Sequence, residues 1–359
     1  MPVQNYEILN PNTDVTTTRT LLHEFIPVTG TILSATYGTY PNEGNIKNFT
    51  HGMFQSVYDY PYLSSSANHI FDITMGYDEG SALSASSGYT MQKKKINIYN
   101  QFAQVLLGYT GSNNQVEIFE SDLDYGDDNR QMKECYFVNF SRLLSKDQVK
   151  PGSFSITLGV GTWAQSLTTR KTLTDASASV TKGTKTTPGG EYGVLYSGSN
   201  ADSRCGLIFY EAGIAVISGS VMGTGVDGST AVAQFYNDKD GAATNLTWLQ
   251  SFVSSSISGN CDALRHRVYN LSYNNTTEIN STIYFCRVPH NKYNYSSNPT
   301  YTSASKITVK NKASDQPVSY ITTVGLYNTA NELLAVAKLS EPLRKSPETE
   351  ITLRVRLDY

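Results

Sequence analysis

"SYITTVGLYNTANELLAVAKLSEPLRK" (residues 319–345) and "EITLRVRLDY" (350–359) decide the fold class of this chain. In the first, Val324, Leu326, Leu334 and Val336 are expected on one side of two short strands. The Asn-rich "NTAN" at 328–331 has the chemistry of a tight connection, and Pro342 is expected to end the second strand. In the second stretch Ile351, Leu353, Val355 and Leu357 alternate with Thr352, Arg354, Arg356 and Asp358. That period of two marks a strand buried on one face and charged on the other. The sequence is expected to stop there because its sheet is complete or because a neighbour completes it. Exposed strand edges invite strand addition.

The composition agrees with strands and broad contacts. Of 359 residues, 16% are charged, a low share for a soluble domain, while 25 are tyrosines. Hydroxyl and amide side chains suit extended strands, turns and large protein–protein surfaces. A net charge of −3 gives no basic footprint, so no nucleic-acid partner is expected. The densest positive run, Lys93-Lys94-Lys95, reads as a solvated face. Cys135, Cys205, Cys261 and Cys286 form no C-x-x-C pair and have no histidine at zinc-ligand spacing, so they are expected to be buried thiols. The first residues lack a basic region followed by an apolar run, and no apolar stretch reaches 18 residues, so neither a signal peptide nor a membrane span is expected.

Outward from the deciding stretches, residues 16–40 read as two strands around a Pro27–Gly30 turn, and Ser64–Ser66 as the start of a short helix carrying Ala67, Ile70 and Phe71. "KKKINIYNQFAQVLLGY" (93–109) is the clearest helix, with Ile96, Tyr99, Ala103 and Leu106 on one stripe and Gly108 at its C-terminal end. Residues 134–160 read as strand, a helical turn over 141–148, a Lys-Pro-Gly turn and strand. Residues 244–255 read as a second helix capped by Thr244, with Leu246, Leu249 and Val253 facing inward. "NNT" at 274–276 is expected to turn a hairpin. The expected fold is mainly β with a few helices (α+β), built from antiparallel, sandwich-like sheets with a Gly/Ser/Thr-rich β insertion. The expected parts are 1–154, an inserted subdomain over 155–245, and 246–359 completing the core.

Candidate chemistry is sparse. His23, His51, His69, His266 and His290 form no H-E-x-x-H frame, no G-x-S-x-G elbow occurs, and the glycine-rich runs at 159–161 and 219–228 lack Gly-Lys-Ser/Thr. "DLDYGDDN" (122–129) places four aspartates around Gly126, but the glycine is one place early for a calcium loop and Lys133 holds the twelfth position, so a polar loop is expected. The chain is expected not to be an enzyme, with no catalytic, cofactor or metal residues.

"GLYNTANELLAVAKL" resembles the "GLY-D-x-x-G-x-L-I-A-V" hairpin near the baseplate-attachment end of phage tail-fibre proteins, with Asn328 for the usual Asp and Asn331 for the usual Gly. "FQSVYDYPYLSSSANHIFDITMGY", "KKINIYNQFAQVLLGY", "VNFSRLLSKDQVKPGSFSITL", "GLIFYEAGIAVIS" and "PLRKSPETEITLRVRLDY" resemble virion structural proteins of large contractile-tailed phages, including those of cyanobacterial and marine hosts. The resemblance implies a structural component of the baseplate or tail region, partnered by copies of itself and other virion proteins. It implies assembly in the host cytoplasm and residence in the virion. Candidate assembly residues are Gly325, Leu326, Tyr327, Leu333, Leu334, Val336, Arg354, Arg356 and Tyr359. Two alternatives stand beside it: a neck or head-to-tail position, and a host-surface glycan-binding module stacking sugars on Tyr192, Tyr196 and Tyr210.

Overall fold

The computed structural model describes residues 6–28, 43–86, 89–109, 115–121, 130–161, 167–175, 184–198, 204–223, 246–295, 302–303, 306–307, 314 and 316–359. The fold is mainly β. In chain order the strands are β1 (Val15–Ile26), β2 (Ile46–Asn48), β3 (Gln55–Tyr58), β4 (His69–Tyr77), β5 (Glu134–Phe140), β6 (Gln148–Val149), β7 (Ser155–Gly159), β8 (Arg170–Thr174) and β9 (Thr184–Thr187). They continue with β10 (Gly190–Tyr196), β11 (Arg204–Phe209), β12 (Ile214–Ser218), β13 (Val268–Val288), β14 (Thr302–Ser303), β15 (Lys306–Ile307), β16 (Ser319–Tyr327), β17 (Leu333–Lys345) and β18 (Ile351–Asp358). The α-helices among the described residues are α1 (Thr90–Leu106), α2 (Arg142–Ser145), α3 (Trp248–Ser254) and α4 (Ile257–Arg265).

The chain divides into two compact units, Leu22–Thr277 and Met1–Leu21 with Glu278–Tyr359. The boundaries expected at 155 and 246 do not coincide with that division. The Gly/Ser/Thr-rich stretch joins the main sheet, because β12 pairs β5 along Ile214–Ser218 and β7 pairs β13.

The larger unit is built on an antiparallel sheet ordered β13–β7–β8–β10–β11–β12–β5–β4–β3–β2, with β6 beside β13 and β9 beside β10. Its central strands are buried on both faces, which explains why "RCGLIF" and "IAVIS" read as continuous apolar runs rather than alternating ones. Register separates the faces. Gly76, Thr74 and Phe137 share one, and Met75, Ile73 and Tyr136 the other. On the first face lies α1: Phe102 stacks on Phe137 at 4.2 Å and Tyr99 meets it edge-on. On the second lie α3 and α4, through Phe252 against Tyr136 at 4.9 Å and the Tyr136 hydroxyl donating to Asn260 Oδ1 at 2.5 Å. Gly76 lets α1 approach, since a Cβ there would stand 2.6 Å from the Lys95 carbonyl oxygen.

Several expectations hold. Ile96, Tyr99, Ala103 and Leu106 are buried along α1, and Gly108 ends it at φ +94 with its N–H on the Ala103 carbonyl. Others need correction. Ile70 and Phe71 belong to β4, where sheet burial on both faces outweighs the serine-rich helix signal. The cap of α3 is Thr247, which forms a reciprocal capping box with Gln250, while Leu249 is exposed and Phe252 and Ser251 face inward. "NNT" does not turn. It lies inside the 21-residue β13, because Asn275 and Thr276 pair with Val149 and Gln148, and Asn275 Nδ2 donates to the Leu144 carbonyl. Turn-prone side chains stay extended when neighbouring strands satisfy their backbones. The expected strand over 31–40, the 122–129 loop and Thr244 lie outside the described residues.

In the smaller unit β18 pairs antiparallel with Ser281–Val288 of β13, and β16 and β17 form a separate two-stranded sheet. The alternation expected for β18 is present: Leu353 and Val355 are buried, and Thr352, Arg354, Arg356 and Asp358 are exposed.

Candidate functional site: an exposed two-stranded arm

The larger unit holds several polar clusters. Asp72 Oδ1 accepts from the Ser56 hydroxyl at 2.5 Å and lies 2.8 Å from His69 Nε2. The carboxylate thus sits between serine and imidazole, so the imidazole is not placed to take the serine's proton. Asp175 is fully buried and accepts from the Gly152 and Phe154 N–H groups and the Tyr210 hydroxyl, which ties the 150–154 turn to the sheet. Burial raises its carboxyl above the usual range. Arg267, also fully buried, donates to the Gly159 and Gly161 carbonyls. Cys135, Cys205 and Cys261 are buried, and burial pushes the Cys205 thiol up to about 12, which disfavours the reactive thiolate. Cys286 is only half-buried, a departure from the expectation. Among the described residues no three of His, Cys, Asp and Glu converge as metal ligands. Each of these polar clusters ties one part of the fold to another.

The three lysines on α1 need the largest correction. Lys93 is exposed, but Lys95 is fully buried, and its ammonium donates to the carbonyls of Phe252, Val253 and Ser255 at 2.6, 3.1 and 2.9 Å. It caps the C-terminal end of α3, where a positive charge meets the negative end of the helix dipole. Its partner is internal. The signal was present in the sequence, since Lys95 lies four residues before Tyr99 and so falls on the buried stripe.

The smaller unit presents the feature that stands apart. β16 and β17 pair with each other and, among the described residues, with no other strand. The connection uses Asn328, whose Oδ1 accepts from the N–H groups of Ala330 and Glu332 and whose Nδ2 donates to Glu332 Oε2. Asn331 takes φ +62, the left-handed conformation that glycine and asparagine adopt most readily. Asn328 and Asn331 therefore do here what an aspartate and a glycine would do. The hairpin root is fixed. Ser319 and Lys345 are opposite each other in register, and both reach the 290–294 segment: Ser319 Oγ donates to the Tyr293 carbonyl, and Lys345 Nζ to the His290 carbonyl and Asn294 Oδ1. A third bond to the Ser346 carbonyl satisfies the buried Lys345 ammonium.

Beyond the root the arm is apolar and exposed. Tyr320, Tyr327, Leu333, Leu334, Val336 and Leu343 are 56, 57, 52, 68, 52 and 37% exposed. Register corrects the expected single face. Val324 and Leu326 pair with Ala337 and Ala335 on one side, while Gly325 pairs with Val336 and Tyr327 with Leu333 on the other. The shift between Leu326 and Tyr327 makes Leu334 an unpaired bulge residue. A Cβ on Gly325 would touch the Tyr327 ring and the Leu333 side chain, so both pack across that glycine. Pro342 does not end β17. It lies in a wide bulge between Lys338 and Leu343, the strand position a proline tolerates.

Of the expected assembly residues, Gly325, Tyr327, Leu333 and Val336 share the more exposed face, Leu326 takes the opposite one, and Leu334 projects from the bulge. Arg354 and Arg356 are exposed on β18, where Arg356 donates to Asp358 Oδ1 and Ser281 Oγ. Tyr359 is exposed and its hydroxyl lies 3.0 Å from Thr282 Oγ1. The sugar-stacking alternative loses two of its three residues, because Tyr192 and Tyr210 are fully buried.

The chain matches no protein-family model, no curated protein and no solved structure.

Proposed function

We propose that this chain is a structural component of a tailed-phage virion, placed in the baseplate or tail region and acting through protein–protein contacts with copies of itself and with other virion proteins. It assembles in the host cytoplasm, resides in the particle, and performs no catalysis. The observation that carries the assembly role is the β16–β17 arm: two strands, held rigidly at the root, with apolar side chains exposed on both faces. A lone two-stranded sheet is marginal in water, and six large side chains of this exposure amount to about 600 Å² of apolar surface. That stands at the upper end of the roughly 300–600 Å² of the largest apolar patch on a monomer, and approaches the ~800 Å² each partner contributes to a stable contact. The phage assignment is supported by the likeness of residues 325–336 to the tail-fibre hairpin, together with the turn chemistry of Asn328 and Asn331. Cross-linking mass spectrometry of purified, washed particles tests it. Cross-links from residues 319–359 to neighbouring virion proteins are expected, and absence of the chain from the particles overturns the reading.

A further inference from the structure

The two edges of the arm are guarded differently. β17 carries Lys338, Glu341, Pro342 and Arg344 and a wide bulge, the devices by which natural strands blunt an open edge. β16, "SYITTVGLY", carries no charge and no proline. Among the described residues its outer edge pairs with no strand.

We infer that β16 pairs antiparallel with β16 of a second copy of this chain across a two-fold axis, making a four-stranded sheet with a β17 on each outer edge. The inference rests on the assembly reading above and names the partner of the same arm. Antiparallel pairing of identical strands about a two-fold axis is self-complementary: the residue on the axis meets itself, and residues on either side of it meet in reciprocal pairs. A charge at or beside the axis would then face its own sign. Residues 319–327 hold none, whereas a pair of β17 strands would bring Lys338 and Arg344 toward their copies. Thr322 and Thr323 fall at the strand centre, where threonine pairs support cross-strand packing. Because the arm alone offers less than a standard interface, the dimer forms at about micromolar concentration.

Sedimentation of the full chain over a range of about 1–100 μM tests this. A species of twice 39.5 kDa should grow with concentration. Thr322 is exposed and lies in the register shift opposite no partner, so Thr322→Lys and Thr322→Glu should each fold and melt as the wild type does. Each should weaken the dimer by about tenfold or more, since like charges stand within a few ångströms, and an equimolar mixture of the two should restore it to about the wild-type level. A wild type that stays monomeric, variants that dimerise unimpaired, or a mixture no better than either variant alone overturns the proposal. Independently of any variant, amide exchange over 319–327 in the wild type should slow as concentration rises, and exchange that does not change overturns it too. A monomeric chain that is nevertheless cross-linked inside particles assigns this edge to a different virion protein and leaves the assembly reading standing. A dimeric chain absent from particles does the reverse.

Discussion

Replacing Gly76 by alanine tests the closest contact in the larger unit. A Cβ at this position would stand 2.6 Å from the Lys95 carbonyl oxygen, 2.8 Å from the Tyr99 nitrogen and 3.1 Å from the Tyr99 Cβ. Ordinary contacts lie about 3.5–4.0 Å apart, so α1 would have to withdraw from β4 by roughly 1 Å. The obstacles are backbone atoms of a helix, which no rotamer change can move aside. A gap of 0.5–1 Å forfeits about a quarter to a half of each dispersion contact it opens. Tyr99, Ala103 and Leu106 are all fully buried along that helix. Overpacking typically costs about 1–3 kcal/mol, and with rigid backbone on both sides the expected loss is at or above the upper end, about 3–5 kcal/mol. For a unit of this size that lowers the melting temperature by roughly 6–20 °C. Urea and thermal unfolding measure it directly. Gly52→Ala is the control: Gly52, unlike Gly76, has positive φ, +63, and nothing lies within 4 Å of its Cβ position, so the expected cost is about 1 kcal/mol from the backbone alone. A Gly76→Ala protein within about 0.5 kcal/mol of wild type refutes the described helix–sheet approach.

Three further outcomes are expected. Lys95→Met leaves the Phe252 and Ser255 carbonyls without their ammonium donor, while Gln92 still serves Val253. Burial lowers Lys95 to about 8 from 10.5, so the unfolded chain binds the proton more tightly, and wild-type stability rises relative to the variant as pH increases from 8 to 10.5. The gap should widen by up to about 3 kcal/mol in paired denaturation curves, and a flat difference contradicts it. Asn331→Gly should leave the arm within about 1 kcal/mol of wild type, whereas Asn331→Val should loosen it by about 1–2 kcal/mol, read as faster amide exchange across 319–345, because a β-branched side chain resists φ +62. Leu334→Lys with Val336→Lys should change the melting temperature little, since both positions are exposed, while removing cross-links from the arm in particles.

How much of this was legible in the sequence depends on whether a residue's neighbours are local. The alternation of β18 and the apolar stripe of α1 follow from periods of two and 3.6, and both stand in the structure. The hairpin at 325–336 was legible from its turn residues, which act on one another within five positions. What escaped was set by distant partners. "NNT" carries turn chemistry, yet Val149 and Gln148 hold it extended from more than a hundred residues away. Thr244 and Thr247 are both plausible caps by type, and only the Gln250 side chain returning to the Thr247 N–H decides between them. Lys95 looked solvated because a basic run usually is, and the carbonyls that receive it lie some 160 residues on. For the candidate site, the residues were legible but their faces were not. One unpaired residue, Leu334, and the bulge at Pro342 change which side chains stand together, and a shift of one residue exchanges faces.

The β16–β17 arm is proposed as the surface by which this chain is gripped. Amide exchange compared between the isolated chain at low concentration and the same chain in purified particles measures this directly. Strong new protection is expected across residues 319–345, with the central strands of the larger unit unchanged. Exchange in the arm that is equally fast in both states contradicts it.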